Sequence, residues 1–463
     1  MEIETTYLEK GFAPLRVELD IADVRVEGEW PRELSGTFYR IGPNPQFSPR
    51  GPYNPLLGDG MVHAFRMCDG RVSYRNRWVR TQQWHLERAA GRALFATSGN
   101  PRDNDPSVAT AQTDGVANTN LVWHAGRLLA LEEGHAPIEI EPRTLATLEQ
   151  WRFGGALPAN LTAHPKIDPR TGELLAFANF PGRDFTGKIA HYVVDAAGEL
   201  VSSGAIAGPF AALVHDFAIT ERFVVLALCP LTVSIERARA GRPPVAWEPR
   251  LGTRVALLAR RGGDVRWLEG PACMAWHTVN AFDDGALVHL DVCQQRGPAF
   301  PSVEGIAAQE ADLRQYLTRW SLDPSRPDSI EMQPLSDIVC EYPRIDERFR
   351  GRRHGVAYFA CEGGPGTGDP FHRGLARYDY AKRKMSVYRA GPCGAVAEPT
   401  FVPRSDAAEG DGFLLTTIYD ERLDTSEAAV FDARSLSSGP IARARLEHRV
   451  PIGFHGLWRP EAA

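Results

Sequence analysis

Met61–Val79, MVHAFRMCDGRVSYRNRWV, decides the fold class. Apolar and polar residues alternate on both sides of Asp69-Gly70, and an Asp-Gly pair between two alternating runs is a strong short-range mark of a β-hairpin. The same reading fits Thr119–Glu133 about Ala125-Gly126, Ile189–Ile206, Arg254–Gly270, and His277–Val292 about Asp283-Asp284-Gly285. Such hairpins recur from about Gly36 to Gly456. The best amphipathic helix, Val303–Leu317, is short, so the chain reads as all-β.

An antiparallel chain of 463 residues must hide many strand edges. Radial repetition of small sheets about an axis does so and leaves a central channel, so a β-propeller is expected. Seven blades would each take about 66 residues, enough for four strands with loops and short helices capping the axis. A pair of sandwiches is the alternative, disfavoured because no Ser/Pro/Gly linker or charge run divides the chain. The expectation is one domain spanning 1–463.

Composition narrows the partners. Lys plus Arg number 52 against 58 acidic residues, a net charge of −6 with no basic stripe, so no nucleic-acid partner is expected. The densest basic patch, Arg348, Arg350, Arg352 and Arg353, reads as a solvated loop or strand edge. Seven cysteines, Cys68, Cys229, Cys273, Cys293, Cys340, Cys361 and Cys393, never form a C-x-x-C pair and suggest neither a disulfide framework nor a zinc ribbon. The N-terminal MEIETTYLEKGFAPL carries acids where a signal peptide is basic, and the longest apolar run, Phe223–Cys229, is far too short to cross a bilayer. A cytoplasmic protein with reduced thiols is expected. Pro209–Val214 reads either as peripheral membrane contact or as a packed strand.

Familiar catalytic motifs are missing. The sequence has no HExxH, G-x-S-x-G or EF-hand loop, and Gly363–Asp369 lacks the Lys-Ser/Thr that would complete a phosphate cradle. Four of the thirteen histidines stand out instead, because His164, His215, His277 and His455 open or end strand-like runs beside turns. The first three are about one blade apart, so successive blades could each send one imidazole inward, with His455 returning as the ring closes. Imidazole suits iron, zinc, copper and nickel, so the residues leave the metal open, and scattered core histidines are the bland alternative.

Eight stretches, in order from about Ser35 to Trp458, resemble the carotenoid cleavage oxygenase family, which includes the bacterial lignostilbene and stilbene dioxygenases. They are GTFYRIGPNPQF, GDGMVHAFRM, ANTNLVWHAGRLLALEEGHAP, AHPKIDPRTGELLAF, HDFAITERFVV, EYPRIDERF, AEPTFVPR and GFHGLW. The resemblance implies a seven-bladed propeller holding one non-haem Fe(II) per chain, with O2 as co-substrate. His164, His215, His277 and His455 match the family's four ligands. Glu133, Glu341 and Glu398 match the carboxylates that orient them. Four neutral imidazoles leave the ion its full charge and open positions, and a carboxylate at the other ring nitrogen fixes each tautomer. The remaining histidines, His63, His85, His124, His135, His191, His289, His354, His372 and His448, read as structural; His135, two residues past Glu133, could also face the substrate.

The implied reaction is oxidative scission of a C=C bond in a small conjugated, apolar substrate, giving two carbonyl products. The lignostilbene-like branch grips a phenolic hydroxyl with a tyrosine and a lysine. Here the positions aligned with them hold Ser98 and Glu132, beside Leu57 in the same candidate pocket. A phenolate facing a carboxylate in a low-dielectric site is repelled, which puts an apocarotenoid or carotenoid first and a stilbene or phenylpropenoid of the lignostilbene, resveratrol or isoeugenol type second. A different class is a non-enzymatic propeller, or a hydrolytic one holding calcium through Asp and Asn oxygens. Oligomeric state is not legible in the sequence.

Overall fold

In the hairpin of residues 61–79, Cys68 pairs with Arg71, and Asp69 and Gly70 both take positive φ, 49° and 76°. That is the primed turn geometry whose twist matches the strands it joins. Ala125 and Gly126 do the same at φ 48° and 80°, with His124 paired to Arg127. The computed structural model describes residues 6–97, 100–181, 185–303, 307–328 and 330–461.

The chain forms two compact units. The first comprises residues 1–163, 390–404 and 412–463. It holds three sheets. In one, Gly456–Pro460 pairs with Gly36–Pro43, which continues through Gly60–Cys68 and Arg71–Trp78 to Asp20–Ile21. The next runs Asn120–His124, Arg127–Leu131, Ile138–Ile140, Thr147–Gln150. In the third, Arg25–Gly28 joins Ala442–Arg445, Thr425–Asp432 and Gly412–Asp420, against which Gly394–Val396 and Thr400–Pro403 both pair.

The second unit, residues 164–389 and 405–411, holds two four-stranded sheets, a two-stranded sheet of Leu231–Val233 and Val245–Trp247, and a seven-stranded run from Met274 to Arg389. Within that run the 15-residue strand Ile330–Arg344 is shared. Its first part pairs with Tyr316–Leu322 and its last part, from Cys340, with Val356–Gly364. Register shifts on both sides bend it, so the run is two blades joined at one strand. With that run counted as two and the two-stranded sheet set aside, three sheets of the first unit and four of the second are the seven blades of an all-β propeller.

Alternation builds the core. Every second residue of Arg71–Trp78 is buried, and Phe38, Phe65, Tyr74, Leu415 and Val430 pack together on inward faces. Two departures from the sequence reading concern helices. The described part of Val303–Leu317 is not an amphipathic helix: it holds a single 3-10 turn, Glu310–Leu313, before the strand Tyr316–Leu322. The Asp312 carbonyl accepts from the Arg296 N–H at 3.1 Å and the Gln315 carbonyl from the Cys340 N–H at 3.0 Å, so these acceptors serve neighbouring strands rather than a helix ladder. Conversely, Gln82–Ala90 is an α-helix, opened by the Thr81 hydroxyl on the Trp84 N–H and closed by Gly91 at φ 67°.

Pro209–Val214 packs rather than standing free. The Leu213 N–H donates to the Leu231 carbonyl at 2.8 Å and the Val233 N–H to the Ala211 carbonyl at 2.9 Å. No helix among the described residues is long and apolar enough to cross a membrane. All seven cysteines are free thiols, five of them buried. In the basic patch, Arg348 pairs with Asp346, Arg350 with Glu347 and Arg353 with Asp284.

Candidate metal centre

Each of the four singled-out histidines stands at or just before the terminal strand of a sheet. His164 precedes Lys166–Ile167, with Pro165 restricting it to extended backbone. His215 precedes Phe217–Ile219, and His455 precedes Gly456–Pro460. His277 lies within Met274–Asp284, where the register against Leu287–Gln295 slips between Ala275 and Thr278. A slip of this kind re-aims a side chain off the regular pleat.

The rings converge. His164 Nε2 lies 3.1 Å from His215 Nε2, which lies 3.2 Å from His277 Nε2. Candidate ligand nitrogens of His164, His215, His277 and His455 all fall within 4.8 Å of one another. His277 Nδ1 is 2.7 Å from Glu341 Oε2, and His455 Nδ1 is 2.9 Å from Glu398 Oε1. A carboxylate at Nδ1 holds the proton there and leaves Nε2 as a lone pair. Lone pairs aimed at a common point repel unless a cation sits between them. Two nitrogens bound at about 2.1 Å and at right angles about one ion stand about 3.0 Å apart, close to the observed spacings. The donor set therefore fits a metal ion.

The carboxylates are held in turn. Burial pushes the Glu341 carboxyl up, but the neighbouring His277 ring and the Tyr342 N–H outweigh it and hold it below the usual range. Tyr342 takes φ 53°, a left-handed conformation uncommon for a bulky residue, at the point where Glu341 turns to His277. Glu398 Oε2 accepts from the Gly456 N–H at 2.7 Å and from Arg40 Nη1 at 3.2 Å, and Arg40 Nη2 donates to the Phe454 carbonyl at 3.1 Å. Arg40 and Glu398 are both buried.

A second buried network lies beside the other three ligands. Lys166 Nζ reaches Asp216 Oδ1 at 2.7 Å, while the Thr278 N–H and hydroxyl both reach Asp216 Oδ2 at 2.8 Å. Burial raises the Asp216 carboxyl, and the Lys166 and His277 charges together with the hydrogen bonds from Lys166 and the Thr278 N–H outweigh it, holding it below its ordinary value. Arg40, Lys166, Asp216 and Thr278 are not among the residues that the sequence singles out. The available signal was a charge inside an apolar run, as in FYRIG, and polar residues directly following HP, H and H in HPKI, HDFAI and HTVNAF.

Glu133 is half-buried, and its carbonyl accepts from Asn160 Nδ2 at 2.7 Å. Glu132 is paired with His135 Nδ1 in the same bend, its carboxylate packed against Gly115, where a Cβ would meet Glu132 Oε1 at 2.3 Å. Leu57 is half-buried at the end of a 3-10 turn, Pro55–Leu57. Ser98 lies outside the described residues. Among the other histidines, His63 is bonded to the Tyr74 hydroxyl at 2.8 Å and His354 to Asn280 at 3.2 Å; burial lowers both, to about 3 and about 4.

Comparison with known proteins adds a family. The family model described as "Retinal pigment epithelial membrane protein" matches residues 12–460. Isoeugenol monooxygenase of Pseudomonas nitroreducens is 35% identical over 469 residues, covering 96% of both chains. The crystal structure of Pseudomonas brassicacearum lignostilbene dioxygenase superposes with a TM-score of 0.94 at 36% identity, covering 99% of each chain. A solved mutant of Synechocystis apocarotenoid oxygenase gives a TM-score of 0.86 at 28% identity, covering 97% of this chain and 98% of that one.

Proposed function

Because this chain belongs to the Retinal pigment epithelial membrane protein family, that of the carotenoid cleavage oxygenases, we propose that it is a non-haem Fe(II) dioxygenase that splits a conjugated C=C bond into two carbonyl products. The observation that carries the reading is the convergence of four imidazoles, two of them backed by buried carboxylates. An all-nitrogen donor set suits iron and does not suit calcium, which takes oxygen ligands. Iron, when bound, supplies the redox chemistry that lets O2 react with a closed-shell alkene.

The overall step balances without a further reductant. One C=C bond breaks, two C=O bonds form, and both atoms of one O2 end in the two products. What the chain contributes is placement. His164, His215, His277 and His455 present Nε2, Glu341 and Glu398 hold the protons at Nδ1 of His277 and His455, and Glu133 is assigned the same duty towards a third ring. Neutral ligands leave the positive charge of the centre undiminished, and a site built on blade strands keeps its geometry fixed.

For the substrate, whole-length similarity favours the stilbene or phenylpropenoid class ahead of an apocarotenoid. Relatives named for isoeugenol and lignostilbene stand at 35% and 36% identity, against 33% for a carotenoid cleavage oxygenase and 28% for the apocarotenoid oxygenase. The charge objection to a phenolate is also weakened, because Glu132 is engaged by His135. Leu57, Ser98 and Glu132 are assigned to the substrate pocket on the resemblance. We further read the chain as one catalytic domain, since the first unit is assembled from three separated stretches, and as a cytoplasmic protein with reduced thiols.

The test is product identification. Fe(II)-loaded protein under O2 is offered isoeugenol, a 4-hydroxystilbene and a β-apocarotenal. Aryl aldehydes from the first two are expected; aldehydes from the apocarotenal alone would reverse the substrate order, and no cleavage of any alkene would refute the activity.

A further inference from the structure

Asp216 is a buried carboxylate with donors at both oxygens, the Thr278 hydroxyl also lying 3.0 Å from the Phe217 carbonyl. Oδ1 accepts from Lys166 Nζ at 2.7 Å and from the Phe217 N–H at 2.7 Å; Oδ2 accepts from the Thr278 N–H and the Thr278 hydroxyl, each at 2.8 Å. The donors come from three strands of three sheets, and each strand either contains a histidine of the cluster or begins two residues after one. Lys166 follows His164 by two residues, Asp216 follows His215 directly, and Thr278 follows His277 directly.

A buried Lys–Asp pair is a poor stability device, because desolvating two charges offsets most of their attraction and well-packed apolar residues often do as well. It does specify position: each bond is satisfied only when the strands stand at one separation. Asp291, by contrast, pairs with Arg319 on the adjacent strand of the same sheet, an ordinary cross-strand pair that flanks none of the four histidines.

We propose that Asp216 is a positioning residue of the metal centre, a single anchor that sets the separations of His164, His215 and His277, with Lys166 as its charge partner. The inference rests on the four-histidine centre described above. It assigns Asp216 no contact with substrate or metal. Lys166 Nζ also stands 5.8 Å from the centre of the fully buried Phe217 ring, which limits where the ammonium can go.

Co(II) alone is the probe, with its dissociation constant taken by chelator competition and its visible ligand-field spectrum recorded. Asp216→Asn puts an amide where two donors point; it should weaken Co(II) binding by about tenfold or more and change the spectrum. Thr278→Val, nearly isosteric, should weaken it several-fold, and Thr278→Ser, which restores the hydroxyl, should return it to wild type. Asp291→Asn should lower the melting temperature and leave the spectrum unchanged. Wild-type affinity and spectrum in both Asp216→Asn and Thr278→Val would overturn the proposal, as would an equal spectral change in Asp291→Asn. Should Asp216→Asn fail to fold, the Val and Ser variants decide: like behaviour of the two overturns the proposal. A wild-type protein that binds neither Co(II) nor Fe(II) would remove the four-histidine reading and this inference together, whereas tight wild-type binding with indifferent variants removes this inference alone.

Discussion

Glu341 Oε2 stands 2.7 Å from His277 Nδ1, and that bond determines which nitrogen of the ring faces His215. The tautomer of a ligand is thus set from behind, by a carboxylate kept ionised against its own burial. Glu398 does the same for His455, but with Arg40 behind it, so the two pairs differ in how much negative charge reaches the ring.

Glu341→Gln keeps an acceptor near His277 and removes the charge. Metal affinity should fall by about tenfold, and by about a hundredfold in Glu341→Ala, the range over which partners of metal-bound histidines act. Chelator competition measures it; equal affinities in the three proteins would show that the pair does not support the ligand.

Arg40→Met leaves Glu398 buried without its cation. Breaking such a pair costs about 3–5 kcal/mol, and adding Glu398→Gln should recover part of the loss because no charge is then left unpaired. Urea unfolding of the two single variants and the double variant gives the coupling. Strictly additive losses would contradict it.

Gly42→Ala addresses close approach. A Cβ at Gly42 would lie 2.3 Å from Gly453 Cα, two residues before His455, in a segment tied by the Ile41 N–H to the His455 carbonyl at 3.0 Å. Backbone must move, at a cost of about 1–3 kcal/mol. A lower melting temperature together with weaker metal binding is expected; an unchanged protein would show that this contact is slack.

Asp59 supplies a pH dependence. Burial, helped by Glu87 and opposed by the Gln46 N–H and Arg16, pushes its carboxyl up to about 7. The folded state therefore keeps the proton between about pH 4 and 7 while the unfolded chain has lost it, so stability falls as pH rises through that window, by about 4 kcal/mol in all. Asp59→Asn keeps an acceptor for Gln46 and does not titrate. Its unfolding free energy should gain on wild type from pH 5 to pH 8; a constant difference would contradict the shift.

What the sequence made legible follows from range. The hairpin at Asp69-Gly70 is written in adjacent residues, and the four histidines could be picked out because each sits beside a turn near an expected blade boundary. The helix Gln82–Ala90 buries only Trp84 and Glu87, so it has no apolar stripe to announce it. The run Val303–Leu317 looked helical because its backbone acceptors are claimed by strands that no local pattern reveals. Arg40 and Glu398 are 358 residues apart, and the donors of Asp216 come from three strands, so neither network has a local signature. The substrate pocket was the least legible part, because it depends on where Glu132 points, and its His135 partner emerged only in three dimensions.

X-ray absorption at the iron edge of the Fe(II)-loaded protein reports directly on whether four imidazoles share one ion. One iron per chain is expected, with a first shell of nitrogen and oxygen at about 2.1 Å and outer-shell scattering from about four imidazole rings that drops by one in His277→Ala. A shell containing sulfur, or scattering from two or fewer imidazoles in the wild-type protein, would contradict it.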